Sequence, residues 1–163
     1  MIVNKNEIKA IVKDLRKKKK IIVFTNGVFD ILHKGHVYYL NKAKELGDIL
    51  VVGVNSDSSV KRLKGKDRPV NILEDRMYVL DSLRSVDYTV AFEEDTPINI
   101  IKAIEPDVLV KGGDYDADSQ NVADKRYIVG SDIVKKSGGK VKVIDLMPGR
   151  STTGTIKKLR EYR

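Results

Sequence analysis

Apolar positions along this chain recur at two spacings in alternation, and that alternation predicts a fold class before any single residue is considered. Ile8, Ile11, Val12 and Leu15 follow helical spacing behind Asn4 and Glu7, which stand at capping-box distance, so an amphipathic helix is expected at the start. The apolar run Ile21 to Phe24, closed by Thr25-Asn26-Gly27, reads as a buried strand ending in a loop, and Ile49 to Val54 reads as another. Between them Val37, Leu40, Ala43 and Leu46 recur every three residues up to Gly47, which completes a βαβ unit. The alternation continues. Asn71 and Glu74 suggest a capped helix carrying Leu73, Met77 and Leu80, followed by a strand at Tyr88 to Phe92. Thr96-Pro97 is a cap and first turn before Ile98, Ile101 and Ile104, and Val108 to Val110 is a fourth strand. Tyr127 to Lys136 predicts a helix ending at Gly138-Gly139, Val141 to Ile144 a fifth strand, and Ser151 or Thr152 the cap of a last helix whose Ile156 and Leu159 would dock on the sheet. The expected class is therefore α/β: a Rossmann-like, doubly wound parallel sheet of five strands with helices on both faces. The polar, Asp-rich stretch from Tyr115 to Lys125 reads as a long loop.

A length of 163 residues suits a single domain over 1–163, with 1–20 forming an N-terminal helix and basic run. Cysteine is absent, which excludes disulfides and thiolate metal sites. The start, Met1 to Arg16, lacks the apolar core and cleavage site of a signal peptide, and no later run is long enough to span a membrane, so a cytoplasmic protein with no membrane partner is expected. The net charge of +8 is partly local, because five of the 31 basic residues form the run Arg16 to Lys20. A solvated helix end explains that run, and nucleic acid is not expected as a partner: the chain has no Trp, three Phe and no stacking or finger pattern. A basic balance also suits an enzyme acting on phosphates.

The only two histidines, His33 and His36, flank Lys34-Gly35 just after the first apolar run and at the start of the next helix. Residues three apart on a first turn share a face, the free amides there point outward, and Gly35 permits close approach of an anion. A zinc site would need a third ligand, which could only be a carboxylate. Lys111-Gly112-Gly113-Asp114-Tyr115 follows the fourth strand, and in a doubly wound sheet of flavodoxin-like order the first and fourth strands lie near the reversal where ligands bind. Gly149 to Thr153 makes a further anion site at a helix start.

Thr25-Asn26-Gly27-Val28-Phe29-Asp30 leading into His33-Lys34-Gly35-His36, with the terminal Ser151-Thr152-Thr153, resembles the signature of the cytidylyltransferase-like nucleotidyltransferases. Asn55-Ser56-Asp57, Arg62-Leu63-Lys64-Gly65, Arg68-Pro69-Val70, Arg76-Met77, Val86-Asp87, Thr96-Pro97 and Pro106-Asp107 through Asp114-Tyr115 are similar to the adenylyltransferase domain that makes ADP-heptose from heptose 1-phosphate. The resemblance implies transfer of AMP from ATP, with Mg2+, to a sugar 1-phosphate. It implies catalytic roles for His33, His36 and Lys64, and nucleotide contacts from Thr25, Asn26, Gly27, Phe29, Arg76, Lys111, Gly112, Asp114, Ser151, Thr152 and Thr153. Asp30, Lys61, Arg62 and Tyr115 fall to the acceptor, with Asp30 also the candidate magnesium ligand, and a homodimer stays open.

Two other readings remain at this level. Arg84, before Ser85-Val86-Asp87, resembles the arginine of glycerol 3-phosphate cytidylyltransferases, which differ in base and acceptor. A non-catalytic regulator binding nucleotide or nucleic acid would share the fold, with the basic run as its support. The stretch from Tyr115 to Ile128 is longer than the heptose enzymes usually have, and Arg150 stands where they tend to carry a neutral residue.

Overall fold

A computed structural model of the chain, describing residues 1–113 and 115–161, turns each of the five apolar runs into a strand and adds a sixth. The addition is β1 (Ile2–Val3), whose two residues pair in parallel with Thr89 and Val90 at the sheet edge. Two residues are too few to leave a period in the sequence, which is why five strands were expected. The elements that follow are α1 (Lys5–Lys17), β2 (Ile22–Gly27), α2 (Lys34–Lys44), β3 (Ile49–Asn55), α3 (Asp57–Lys64), α4 (Leu73–Asp81), β4 (Tyr88–Phe92), α5 (Ile98–Ile104), β5 (Val108–Gly112), α6 (Ser131–Lys136), β6 (Lys140–Ile144) and α7 (Thr152–Arg160).

The sheet order is β1-β4-β3-β2-β5-β6, with every pair parallel. This is not the flavodoxin-like order, in which the second run would sit outside the first and the third beside it. Here β3 and β4 lie to one side of β2, and β5 and β6 to the other, so the reversal falls between β2 and β5. The first and fourth apolar runs are therefore direct neighbours, and the loops after them open on one crevice at the carboxyl ends of the strands.

Alternation within the strands divides the core. Ile22, Phe24, Val51, Val90 and Leu109 pack with Ile8 and Val12 of α1 and Ile100, Ile101 and Ile104 of α5. Val23, Leu50, Val52 and Val110 point the other way, onto Tyr39, Leu40 and Ala43 of α2 and Met77 and Leu80 of α4. The start of α1 is the expected capping box: Asn4 Oδ1 accepts from the Asn6 and Glu7 amides, and Glu7 accepts from the Asn4 amide.

Local expectations fail at five places, each for a physical reason. The box at Asn71 and Glu74 does not form, because the Asn71 amide and side chain are committed to Asp30 and α4 begins without a side-chain cap. Pro97, not Thr96, occupies the cap of α5. The helix expected from Tyr127 starts only at Ser131, since Gly130 at φ 89° breaks the path and Ile128 is buried ahead of it. The polar α3 was not anticipated, having Val60 as its one buried apolar residue. Finally, α7 buries none of its residues and Leu159 is 60% exposed, so two apolar positions do not dock this helix on the sheet. No helix among the described residues is long and apolar enough to cross a membrane.

Candidate active site

The first turn of α2 is built by the histidines themselves. His33 is the N-cap, its Nδ1 accepting from the Gly35 amide at 3.1 Å, while the His33 amide donates to His36 Nδ1 at 3.4 Å. Both Nδ1 atoms therefore act as acceptors, which places the ring proton of each neutral imidazole on Nε2. The rings stack with centroids 3.9 Å apart, and Phe29 meets His36 edge-on at 5.6 Å. Burial, reinforced by the neighbouring His33, pushes His36 down to about 4, so it is neutral at physiological pH. Gly35 is needed for this packing. A Cβ there would stand 3.0 Å from the His33 ring and 3.2 Å from Arg150 Cβ.

These rings line a cleft of about 280 Å³ with Asn26, Tyr39, Lys111, Gly112, Tyr115, Leu146, Met147, Arg150, Ser151 and Thr152. Two helix starts thus face one volume. Ser151 caps α7 through its Oγ, which accepts from the Gly154 amide, and Thr152 Oγ1 ties the segment to the Ile31 carbonyl. Lys111, at the end of β5, donates to Asn26 Oδ1 at 2.5 Å, and desolvation pushes its ammonium down to about 8. Tyr39 forms the floor: its hydroxyl meets Thr25 Oγ1 at 2.6 Å and donates to the Val110 carbonyl.

The predicted residues divide on inspection. Asn26, Phe29, His33, His36, Lys111, Gly112, Tyr115, Ser151 and Thr152 share the cleft. Thr25 and Gly27 sit behind it, Thr25 fully buried beneath Tyr39 and Gly27 against the Phe29 ring. Thr153 is exposed outside it, and Asp114 lies outside the described residues. Arg76 is not in the cleft. It is a buried brace, donating to the carbonyls of Asn71, Val28 and Asn55 and to Asp57 Oδ1 at 2.7 Å, which commits four of its five N–H donors within the protein. Lys61 and Lys64 are exposed on α3 and line none of this cleft, and Arg62 is spent on Asp95 and the Glu93 carbonyl.

Asp30 is likewise committed. Its carboxylate accepts from Arg68 Nε at 2.7 Å and from the Val70 and Asn71 amides. Burial opposes its ionisation, but those amides and Arg68 outweigh the opposition and hold its pKa below the usual value. Its role is to pin the segment 68–71, and both oxygens are already engaged, which does not fit a magnesium ligand. Among the described residues, no group of three or more acidic or histidine side chains gathers to hold a metal. The pattern missed Tyr39, Leu146 and Met147; only Tyr39, one turn beyond His36, carried a signal.

Residues 24–156 match the family model described as cytidylyltransferase-like. The chain is 58% identical over 154 residues to the bifunctional protein HldE of a Nitratiruptor species, covering 94% of this chain and 31% of that protein. Against the bifunctional protein HldE of Wolinella succinogenes it is 53% identical over 158 residues, covering 97% of this chain and 31% of that protein. The chain thus spans about a third of the length of these relatives. Among solved structures, the lipopolysaccharide core biosynthesis protein from Thermoplasma volcanium GSS1 superposes with a TM-score of 0.58 at 31% identity, over 78% of this chain and 97% of that one. Pantoate-beta-alanine ligase from Francisella tularensis gives a TM-score of 0.63 at 18% identity, over 97% of this chain and 72% of that one, a likeness of fold. With its paired histidines and terminal Ser-Thr-Thr segment in the matched region, the chain belongs to the cytidylyltransferase-like family.

Proposed function

We propose that this chain transfers AMP from ATP to a heptose 1-phosphate, releasing pyrophosphate and forming ADP-heptose. The observation that carries the reading is the convergence of the stacked His33 and His36 at the start of α2 with Ser151 and Thr152 at the start of α7 on one cleft. Two helix starts, two Nε2–H donors and the Lys111 and Arg150 cations make a binding surface for a polyphosphate. The high identity to HldE proteins and the likeness to a lipopolysaccharide core biosynthesis protein favour a sugar acceptor.

A sugar phosphate has a second pKa of about 6, so near neutral pH its oxygen is already an anionic nucleophile and no general base is required. That oxygen bonds to the α-phosphorus as the bond from the α-phosphorus to the bridging oxygen breaks, and the electron pair leaves with pyrophosphate. The protein's work is alignment and charge stabilisation. His36, neutral at working pH, donates from Nε2 while its ring stacks on that of His33. Magnesium enters as the Mg·ATP substrate, held by the phosphates and water in place of a protein cage, in keeping with the commitment of Asp30 to Arg68.

Arg84, which motivated the cytidylyltransferase alternative, is exposed in the turn before β4, at the opposite end of the parallel strands from the cleft. The basic run lies before β2, at that same far end, away from the cleft. The test is pyrophosphate release with each of the four nucleoside triphosphates against a panel of sugar and polyol phosphates. ATP with heptose 1-phosphate should be the best pair, and a clear preference for CTP with glycerol 3-phosphate would overturn the proposal.

A further inference from the structure

A second cleft, of about 360 Å³, adjoins the first and shares Asn26, Lys111 and Tyr115 with it. Its far wall is the loop between β5 and α6, which contributes Asp124, Lys125 and Tyr127, and its near wall includes Asn55, Leu63 and Thr96. The loop is built to hold this shape. Asp116 pairs with Arg126 and Tyr127, the Asp124 carboxylate accepts from the Arg126 amide, and Tyr127 Oη donates to Asp132 at 3.0 Å. Ile128, fully buried, anchors its end in the core. The lining mixes carboxylate, amide, hydroxyl and ammonium groups with Leu63 and exposed Val122, which suits a polyhydroxylated ring with one apolar edge better than a flat base or an acyl chain.

We infer that the loop Asp116–Val129 is the acceptor-selecting wall of the enzyme: it seats the sugar of the acceptor in the second cleft, while Lys111, common to both clefts, faces the phosphate that attacks. This rests on the transferase reading above. With the nucleotide in the first cleft and the sugar in the second, the acceptor phosphate and the α-phosphorus both come to the Asn26–Lys111 junction, where a desolvated ammonium lies beside developing negative charge.

The test is steady-state kinetics on the whole chain for Lys125→Ala and Val122→Trp, both at exposed positions, with Lys125→Arg as the rescue variant. Each is assayed with whichever phosphorylated acceptor the parent uses best. Thus a different preferred acceptor would count against the heptose assignment and not against the loop. Lys125→Ala should raise the acceptor KM about tenfold, the scale of one lost charge-assisted contact, with the ATP KM and melting temperature unchanged. Val122→Trp should raise the acceptor KM as much or more by filling the cleft, and Lys125→Arg should stay within about threefold of the parent. An acceptor KM within twofold of the parent in both loop variants, or an equal rise in the ATP KM, would overturn the inference.

Discussion

Replacing Arg76 by Met should unfold the protein more readily while leaving its nucleotide chemistry nearly intact. The guanidinium is fully buried and serves three backbone carbonyls, Asn71, Val28 and Asn55, together with the Asp57 carboxylate. Methionine fills most of the volume but supplies no donor, so three carbonyls lose a partner at once, that of Asn55 buried and those of Asn71 and Val28 partly so. Asp57, about a third exposed, regains water. Removing one partner of a buried ion pair costs about 3–5 kcal/mol, and unsatisfied carbonyls account for much of that here. For a domain of 163 residues each kcal/mol lowers the melting temperature by about 2–4 °C, so a fall of about 6–20 °C is expected. Arg76→Lys should recover only part of it, because one ammonium cannot span four acceptors around a planar fork. The assay is thermal melting followed by circular dichroism, beside the ATP KM measured well below the melting range. A variant that melts within about 2 °C of the parent but loses ATP affinity tenfold or more would refute the brace and restore Arg76 to the nucleotide.

Three further outcomes are expected. His36→Ala should lower turnover by at least about a hundredfold with the fold intact, as should His33→Ala, because each removes a preorganised donor to developing charge; near-normal turnover in either would make the pair structural. Lys111 is held near 8 in the folded chain against 10.5 unfolded, so its neutral form favours the fold: that contribution is complete above about 10.5 and lost as pH falls through 8. Lys111→Met should therefore melt higher than the parent at pH 7 yet lose turnover, and the parent's kcat/KM should decline above about pH 8 as the ammonium is lost, a limb absent from the variant's pH profile. Ending the chain after Gly149 removes no strand and no buried residue of α7, so melting should change little while ATP affinity collapses; unchanged ATP affinity would show that the cleft closes without Ser151 and Thr152.

What was legible followed from where the physics is local. Five strands stood out because both faces of a parallel sheet are buried, giving unbroken apolar runs such as Ile49 to Val54. The histidine pair was legible because its geometry is set within one helical turn. Arg76 was misassigned although its position carried the answer: Leu73, Arg76, Met77 and Leu80 fall at i, i+3, i+4 and i+7, so the arginine lies on the buried face of α4. Lys111, expected in the site and found there, continues a strand of buried valines and a leucine, which is why its ammonium is desolvated. Asp30 was read as a substrate or metal ligand because Arg68, Val70 and Asn71, which consume it, lie about forty residues away, a distance no local pattern crosses. Lys64 looked catalytic by its motif, but it stands exposed at the end of α3, outside both clefts.

The central claim is one direct transfer of adenylate at the His33–His36 cleft, and a single turnover tests it most plainly. Protein in excess is mixed with magnesium and ATP labelled at the α-phosphate, with heptose 1-phosphate present or absent, and the quenched reaction is divided into protein, nucleotide sugar and free nucleotide. The label should pass to the nucleotide sugar in one phase, matched by pyrophosphate and only when acceptor is present. Label held on the precipitated protein, or AMP formed without acceptor, would contradict the account.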